Sequence, residues 1–152
     1  SVLWNVADGT AGAGFTISFS TETVAAKKLV LVFSAAGGSQ KEDATGQTPV
    51  NWNISYSVGD GTPVQFEKIL IRPLPASGSE GMKLPLTPDE FYVELPAELL
   101  GKESVTLRLQ AADDTTIDFS TGEYTEKVTF VPDKKTTGQC IRFGAVVVKS
   151  IK

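Results

Sequence analysis

The chain has 152 residues, a length that suits one domain able to bury roughly 70% of the surface its unfolded form exposes. Charged residues make up 21% of it and the formal net charge is −4, so no cationic excess exists to hold a polyanion and nucleic acid is disfavoured as a partner. There is no histidine and one cysteine, Cys140, which removes Ser-His and Cys-His nucleophiles, an internal disulfide and any cysteine-rich zinc site.

Residues 1–14 are rich in small and turn-forming residues. Their Gly12-Ala13-Gly14 lacks the third glycine and the following helix of a phosphate loop, because Ile17 stands where that glycine belongs. Phe15, Ile17 and Phe19 alternate with Thr16, Ser18 and Ser20, the period of a strand with one face buried. Residues 29–33, apolar on both parities, predict a central strand covered on both sides, and the glycine-bearing run 35–49 predicts a long loop.

The strongest signal is the stretch 50–66. Val50, Trp52, Ile54, Tyr56 and Val58 share one parity, with Asn51, Asn53, Ser55 and Ser57 on the other. Gly59-Asp60-Gly61 breaks the run before Val64 and Phe66 resume it, which predicts a hairpin. The apolar parity then switches to Ile69 and Ile71, as a bulge near Glu67 and Lys68 requires.

Four prolines and Ser77-Gly78-Ser79 predict a loop over 74–90, followed by a short strand over 91–95. Pro96 and Gly101 bracket one helical turn. Val105, Leu107 and Leu109 alternate with Thr106, Arg108 and Gln110 in another one-sided strand. An acidic, hydroxyl-rich loop covers 113–125, a short strand holds Val128 and Phe130, and a long apolar strand runs over 140–148. About eight strands with hardly any helix predict an all-β fold, an antiparallel sandwich of two sheets in a single domain over 1–152. No run reaches the apolar length of a membrane-spanning helix. The first residues lack the basic and apolar regions of a signal peptide, so the chain is either cytoplasmic or a mature or excised fragment, and we expect the fragment.

Three pieces carry a resemblance: Asn51-Trp52-Asn53-Ile54-Ser55-Tyr56-Ser57 with the Gly-Asp-Gly turn, Leu95-Pro96-Ala97-Glu98-Leu99 leading into Val105-Thr106-Leu107-Arg108-Leu109, and Ile141-Arg142-Phe143 before Val146-Val147-Val148. In that order they resemble the galactose-binding-domain-like jelly-roll modules of exported and surface proteins of Bacteroidetes-type bacteria. The resemblance implies a jelly roll, an extracytoplasmic setting and a non-catalytic module that binds glycan or accompanies an enzyme. It also implies a structural calcium. Where such modules carry Asp-Asn after the last strand's phenylalanine, this chain has Gly144-Ala145, and that role is not carried over.

A sugar site needs a ring against the C–H face of a pyranose and polar groups at its hydroxyls. Trp4 and Tyr124 are the candidate rings, whereas Trp52 shares its parity with core residues. Asn51, Asn53 and Arg108 project from polar strand faces that would converge if the two strands share a sheet, and Arg72 is a candidate hydroxyl or carboxylate clamp. Asp113, Asp114 and Asp118 are the candidate calcium ligands, though their spacing is not that of a twelve-residue calcium loop. The leading expectation is a carbohydrate-binding module. The alternatives are a structural module packing against a neighbouring domain or partner and, least favoured, a carboxylate-dependent glycoside hydrolase.

Overall fold

The computed structural model describes residues 2–3, 14–40, 49–75, 87–113, 115–117, 124–125 and 140–152. Among them lie eleven strands: β1 (Val2–Leu3), β2 (Gly14–Phe19), β3 (Lys28–Gln40), β4 (Asn51–Val58), β5 (Val64–Leu70), β6 (Pro73–Pro75), β7 (Asp89–Glu94), β8 (Val105–Ala111), β9 (Thr116–Ile117), β10 (Tyr124–Thr125) and β11 (Cys140–Ile151). A single 3-10 turn, Ala97–Leu99, is the helical content of the described residues. The fold is all-β.

Two sheets face each other. The smaller is antiparallel throughout, in the order β2-β8-β4-β5. The larger runs β1-β11-β3, and the far side of β3 is shared by β7, antiparallel at residues 30–35, and by β6, which pairs in parallel near Gly37 and Gln40. The strands β9 and β10 pair only with each other. Alternation explains the layering, because successive side chains of a strand point to opposite faces. Leu29, Leu31, Phe33 and Ala35 of β3, Val93 of β7 and Ile141 of β11 turn inward to meet Trp52, Ile54 and Tyr56 of β4 and Val105, Leu107 and Leu109 of β8. Trp52 is 2% exposed, and its indole N–H donates to the Pro49 carbonyl at 3.0 Å, so its one polar atom is satisfied inside the core. Phe143 closes the aromatic part of the core, edge-on to Phe15 at 4.6 Å and to Trp52 at 6.4 Å.

The hairpin between β4 and β5 forms as the sequence predicts. Gly59 takes φ +55°, a conformation that a side chain would strain, and the Gly61 N–H closes the turn onto the Val58 carbonyl at 3.0 Å. The register slips once, between Ile54 and Ser55, which leaves Phe66 as the extra residue and produces the parity switch.

Two expectations are corrected and a third is borne out. The segment 35–40 is strand: Ala35, Ala36 and Gly37 pair with Phe143, Arg142 and Ile141, and both alanines are fully buried. Their small side chains suit a crowded layer but give no bulky apolar signal. The strand over 29–33 is buried on one face only, since Val30 and Val32 remain half-buried on the other. The helical turn after Pro96 is 3-10, and Thr21 anchors it: the fully buried hydroxyl donates to the Leu99 carbonyl at 2.5 Å and accepts the Lys102 N–H at 2.9 Å. The strand expected around Val128 and Phe130 lies outside the described residues.

Candidate binding face

The outer face of the smaller sheet carries two of the site residues that the sequence singles out, Asn53 and Arg108. Because β4 and β8 are neighbours, Asn53 lies opposite Gln110 and Ser55 opposite Arg108, with Thr16 of β2 on the other side of Arg108. Asn53, Arg108 and Gln110 therefore do share one surface. It is a hydrogen-bonding surface, continued by the hydroxyls of Ser18 and Thr106, 3.1 Å apart. The side-chain oxygen of Asn53 is buried and has no hydrogen-bond partner among the described residues. Trp52 and Tyr56 of this sheet point the other way, into the core.

Asn51 and Arg72 are engaged locally. The Asn51 amide donates to both carboxylate oxygens of Asp113, at 3.2 and 3.1 Å, and Asp113 also accepts the Thr115 N–H at 2.9 Å. Partial burial pushes the Asp113 carboxyl up, but the hydrogen bonds from the Thr115 backbone and side chain and from Asn51 outweigh it and hold the group below its ordinary value of 3.8. The Arg72 guanidinium forks onto Asp89, with Nε 2.8 Å from Oδ2 and Nη2 2.6 Å from Oδ1. That bidentate pair ties the start of β6 to the start of β7. Trp4, Asp114 and Asp118 lie outside the described residues, and Tyr124 is placed only by its backbone, opposite Ile117. Among the described residues no three acidic or cysteine side chains gather as a metal site.

The larger sheet presents a different outer face, which the sequence reading did not single out. Three strands align there in rows. Val147, Val32 and Tyr92 form one row across β11, β3 and β7; Gly144, Ser34 and Glu90 form the row on one side, and Lys149, Val30 and Glu94 the row on the other. The central row is apolar and open at its two ends, with Tyr92 67% and Val147 44% exposed and Val32 half-buried between them. Beside the tyrosine is a shallow hollow of about 130 Å³ lined by Val32, Phe33, Ser34, Glu90, Tyr92 and Gly144. Gly144 forms part of the wall of the hollow, where a Cβ would crowd the Ser34 hydroxyl. The Tyr92 hydroxyl donates to Glu90 at 3.3 Å, and Lys28 reaches Glu94 at 3.7 Å. A signal for Tyr92 was present in the chain: it has the parity opposite to Phe91, Val93 and Leu95, so a buried Val93 obliges it to face outward.

A second opening, about 360 Å³, lies between the sheets, lined by Ile17, Phe19, Val24, Leu29, Val146 and Val148 with the hydroxyl residues Ser20, Thr21 and Ser150. Tyr56 of β4 donates its hydroxyl to the Glu98 carboxylate of the 3-10 turn. That hydrogen bond, burial and the glutamate's charge together raise the Tyr56 pKa. The chain matches no family profile, no curated protein and no solved structure.

Proposed function

We propose that the chain is a non-catalytic, carbohydrate-binding jelly-roll module of an exported bacterial protein, and that glycan lies on the outer face of the larger sheet. The observation that carries this reading is Tyr92: an aromatic ring left open to solvent beside a carboxylate and a serine, at the end of an apolar row. An isolated exposed side chain needs no explanation, whereas two that end one apolar row across three strands call for one. A pyranose offers an apolar C–H face to such a ring and hydroxyls to Glu90 and Ser34.

The jelly-roll part rests on strand order. With β6 set aside, the orders β1-β11-β3-β7 and β2-β8-β4-β5 are those of eight strands wound as two interlocked Greek keys. The bacterial and extracytoplasmic part rests on the resemblance of the hairpin, the Leu95–Leu109 segment and the last strand. Binding without turnover fits the spacing of the acids. Glu90 and Glu94 are four residues apart along one strand, roughly 13 Å, beyond the separation of up to about 9.5 Å that glycosidase carboxylates use. Retention of the protein on polysaccharide affinity gels, lost in Tyr92→Ala, is the expected result. Equal retention of both proteins, or retention of neither, overturns the assignment of the site.

The apolar opening beside β2 and β11 favours a second reading, a module that packs against a neighbouring domain or partner. There Val146, 37% exposed, and Val148 face Ile17 and Phe19 without closing on them. Loss of partner capture in Ile17→Arg together with full retention in Tyr92→Ala is the outcome that this second reading predicts.

A further inference from the structure

We propose that the Tyr92 face selects flat, β-1,4-linked glycan chains laid across the strands, and that it prefers amine-bearing sugars over neutral ones and neutral ones over uronates. This inference rests on the carbohydrate reading above and adds the class of glycan.

Direction comes from the rows. Val147, Val32 and Tyr92 belong to three adjacent strands, so the apolar stripe runs perpendicular to them and measures roughly 10 Å from the first to the third. That length accommodates a disaccharide. A β-1,4-linked chain is a ribbon whose broad faces are C–H and whose hydroxyls point alternately to its two edges. The flanking rows meet both edges: Ser34 and Glu90 on one side, Lys149 and Glu94 on the other. A bent or helical α-linked chain meets only part of the stripe.

Charge sets the preference. Glu94 already has Lys28 beside it, while among the described residues Glu90 has no cation and only the Tyr92 hydroxyl. The uncompensated charge nearest the ring is therefore negative, while Lys149, which also has no ion pair among the described residues, stands on β11 at the far end of the stripe and meets a different sugar unit. An exposed pair of charges changes an equilibrium constant by up to about fivefold in either direction. Exchanging an amine for a carboxylate on the sugar is then worth roughly 2- to 30-fold in affinity, a ratio that shrinks as salt is raised.

Calorimetric titration of the whole 152-residue chain tests this with three tetrasaccharides on one β-1,4 backbone: the glucosamine tetramer at a pH where its amines are charged, cellotetraose, and the cellouronate tetramer. The expected order of affinity is as written, with the amine-to-uronate ratio falling toward one in Glu90→Gln and an unchanged unfolding midpoint showing that the variant is folded. Uronate bound as tightly as the amine, or a ratio that Glu90→Gln leaves intact, overturns the charge preference. Binding of α-linked glycans on an array with no affinity for any of the three tetramers overturns the ribbon geometry and leaves the carbohydrate reading standing. An array with no binder at all removes both.

Discussion

The two outer faces of this sandwich-like fold are built from the same strand geometry and carry opposite chemistry. On the smaller sheet the outward positions are Thr16, Ser18, Asn53, Ser55, Thr106, Arg108 and Gln110, polar groups that water or one another can satisfy, the buried side-chain oxygen of Asn53 excepted. On the larger sheet the same alternation turns Val30, Val32, Tyr92 and Val147 outward, with Tyr92 and Val147 open to solvent. Folding accounts for the first pattern, since an antiparallel sheet with one dry face wants a wet face opposite. It does not account for the second. Exposed apolar area forfeits about 25 cal/mol for each Å² left in water, and this is why the proposed recognition surface is set at Tyr92 and Val147, the two open ends of that row.

The comparison can be broken at several points. The largest effect belongs to the layer beneath both faces. Trp52→Ala removes a ring at the centre of the shared core and is expected to cost about 3–5 kcal/mol in a denaturant titration. A much smaller cost would mean that the two sheets do not share one close-packed interior. Next comes Thr21→Val, which keeps the shape but strands the Lys102 N–H and the Leu99 carbonyl, for a loss of about 1–3 kcal/mol in the same assay.

The faces themselves separate in the third and fourth tests. Tyr92→Ala is expected to lower glycan affinity by about 1–2 kcal/mol, roughly five- to thirtyfold, while stability stays within about 0.5 kcal/mol. Arg108→Ala, in the middle of the polar face, is expected to leave affinity unchanged and stability within the same margin. The reverse result, with Arg108 decisive and Tyr92 silent, would move the site to the smaller sheet.

The smallest effect is one of pH. The Asp113 carboxyl is held below its ordinary value, so its contribution is complete above the unfolded value of 3.8 and is lost as pH falls through the lower folded value. Between neutral pH and strong acid the native protein should therefore lose slightly more stability than Asp113→Asn. Parallel unfolding curves across that range would show that Asn51 and Thr115 do not favour the carboxylate.

Alternation made much of this architecture legible in the chain. The inward set of β4, the one-sided strands β2 and β8 and the glycine turn follow from residues spaced two apart, because that period forces a wet face and a dry one. The polar face of Asn53, Arg108 and Gln110 was readable as a conditional, and the pairing of β4 with β8 satisfies the condition. What stayed hidden depends on which strands are neighbours. Ala35 and Ala36 carry the composition of a loop, and only β11 alongside makes them strand. Arg72 reads as a free clamp until Asp89, 17 residues on, turns out to hold it. Tyr92 looks like one residue of a short strand until Val32 and Val147 align beside it.

The most direct test of the central claim, that the open row of the larger sheet is the recognition surface, is a map of amide chemical shifts as cellotetraose is added to the labelled protein. The account predicts that shifts concentrate at Val32, Ser34, Glu90, Tyr92 and Val147 while Ser55, Thr106 and Arg108 stay still. Shifts confined to the polar face of the smaller sheet would contradict it.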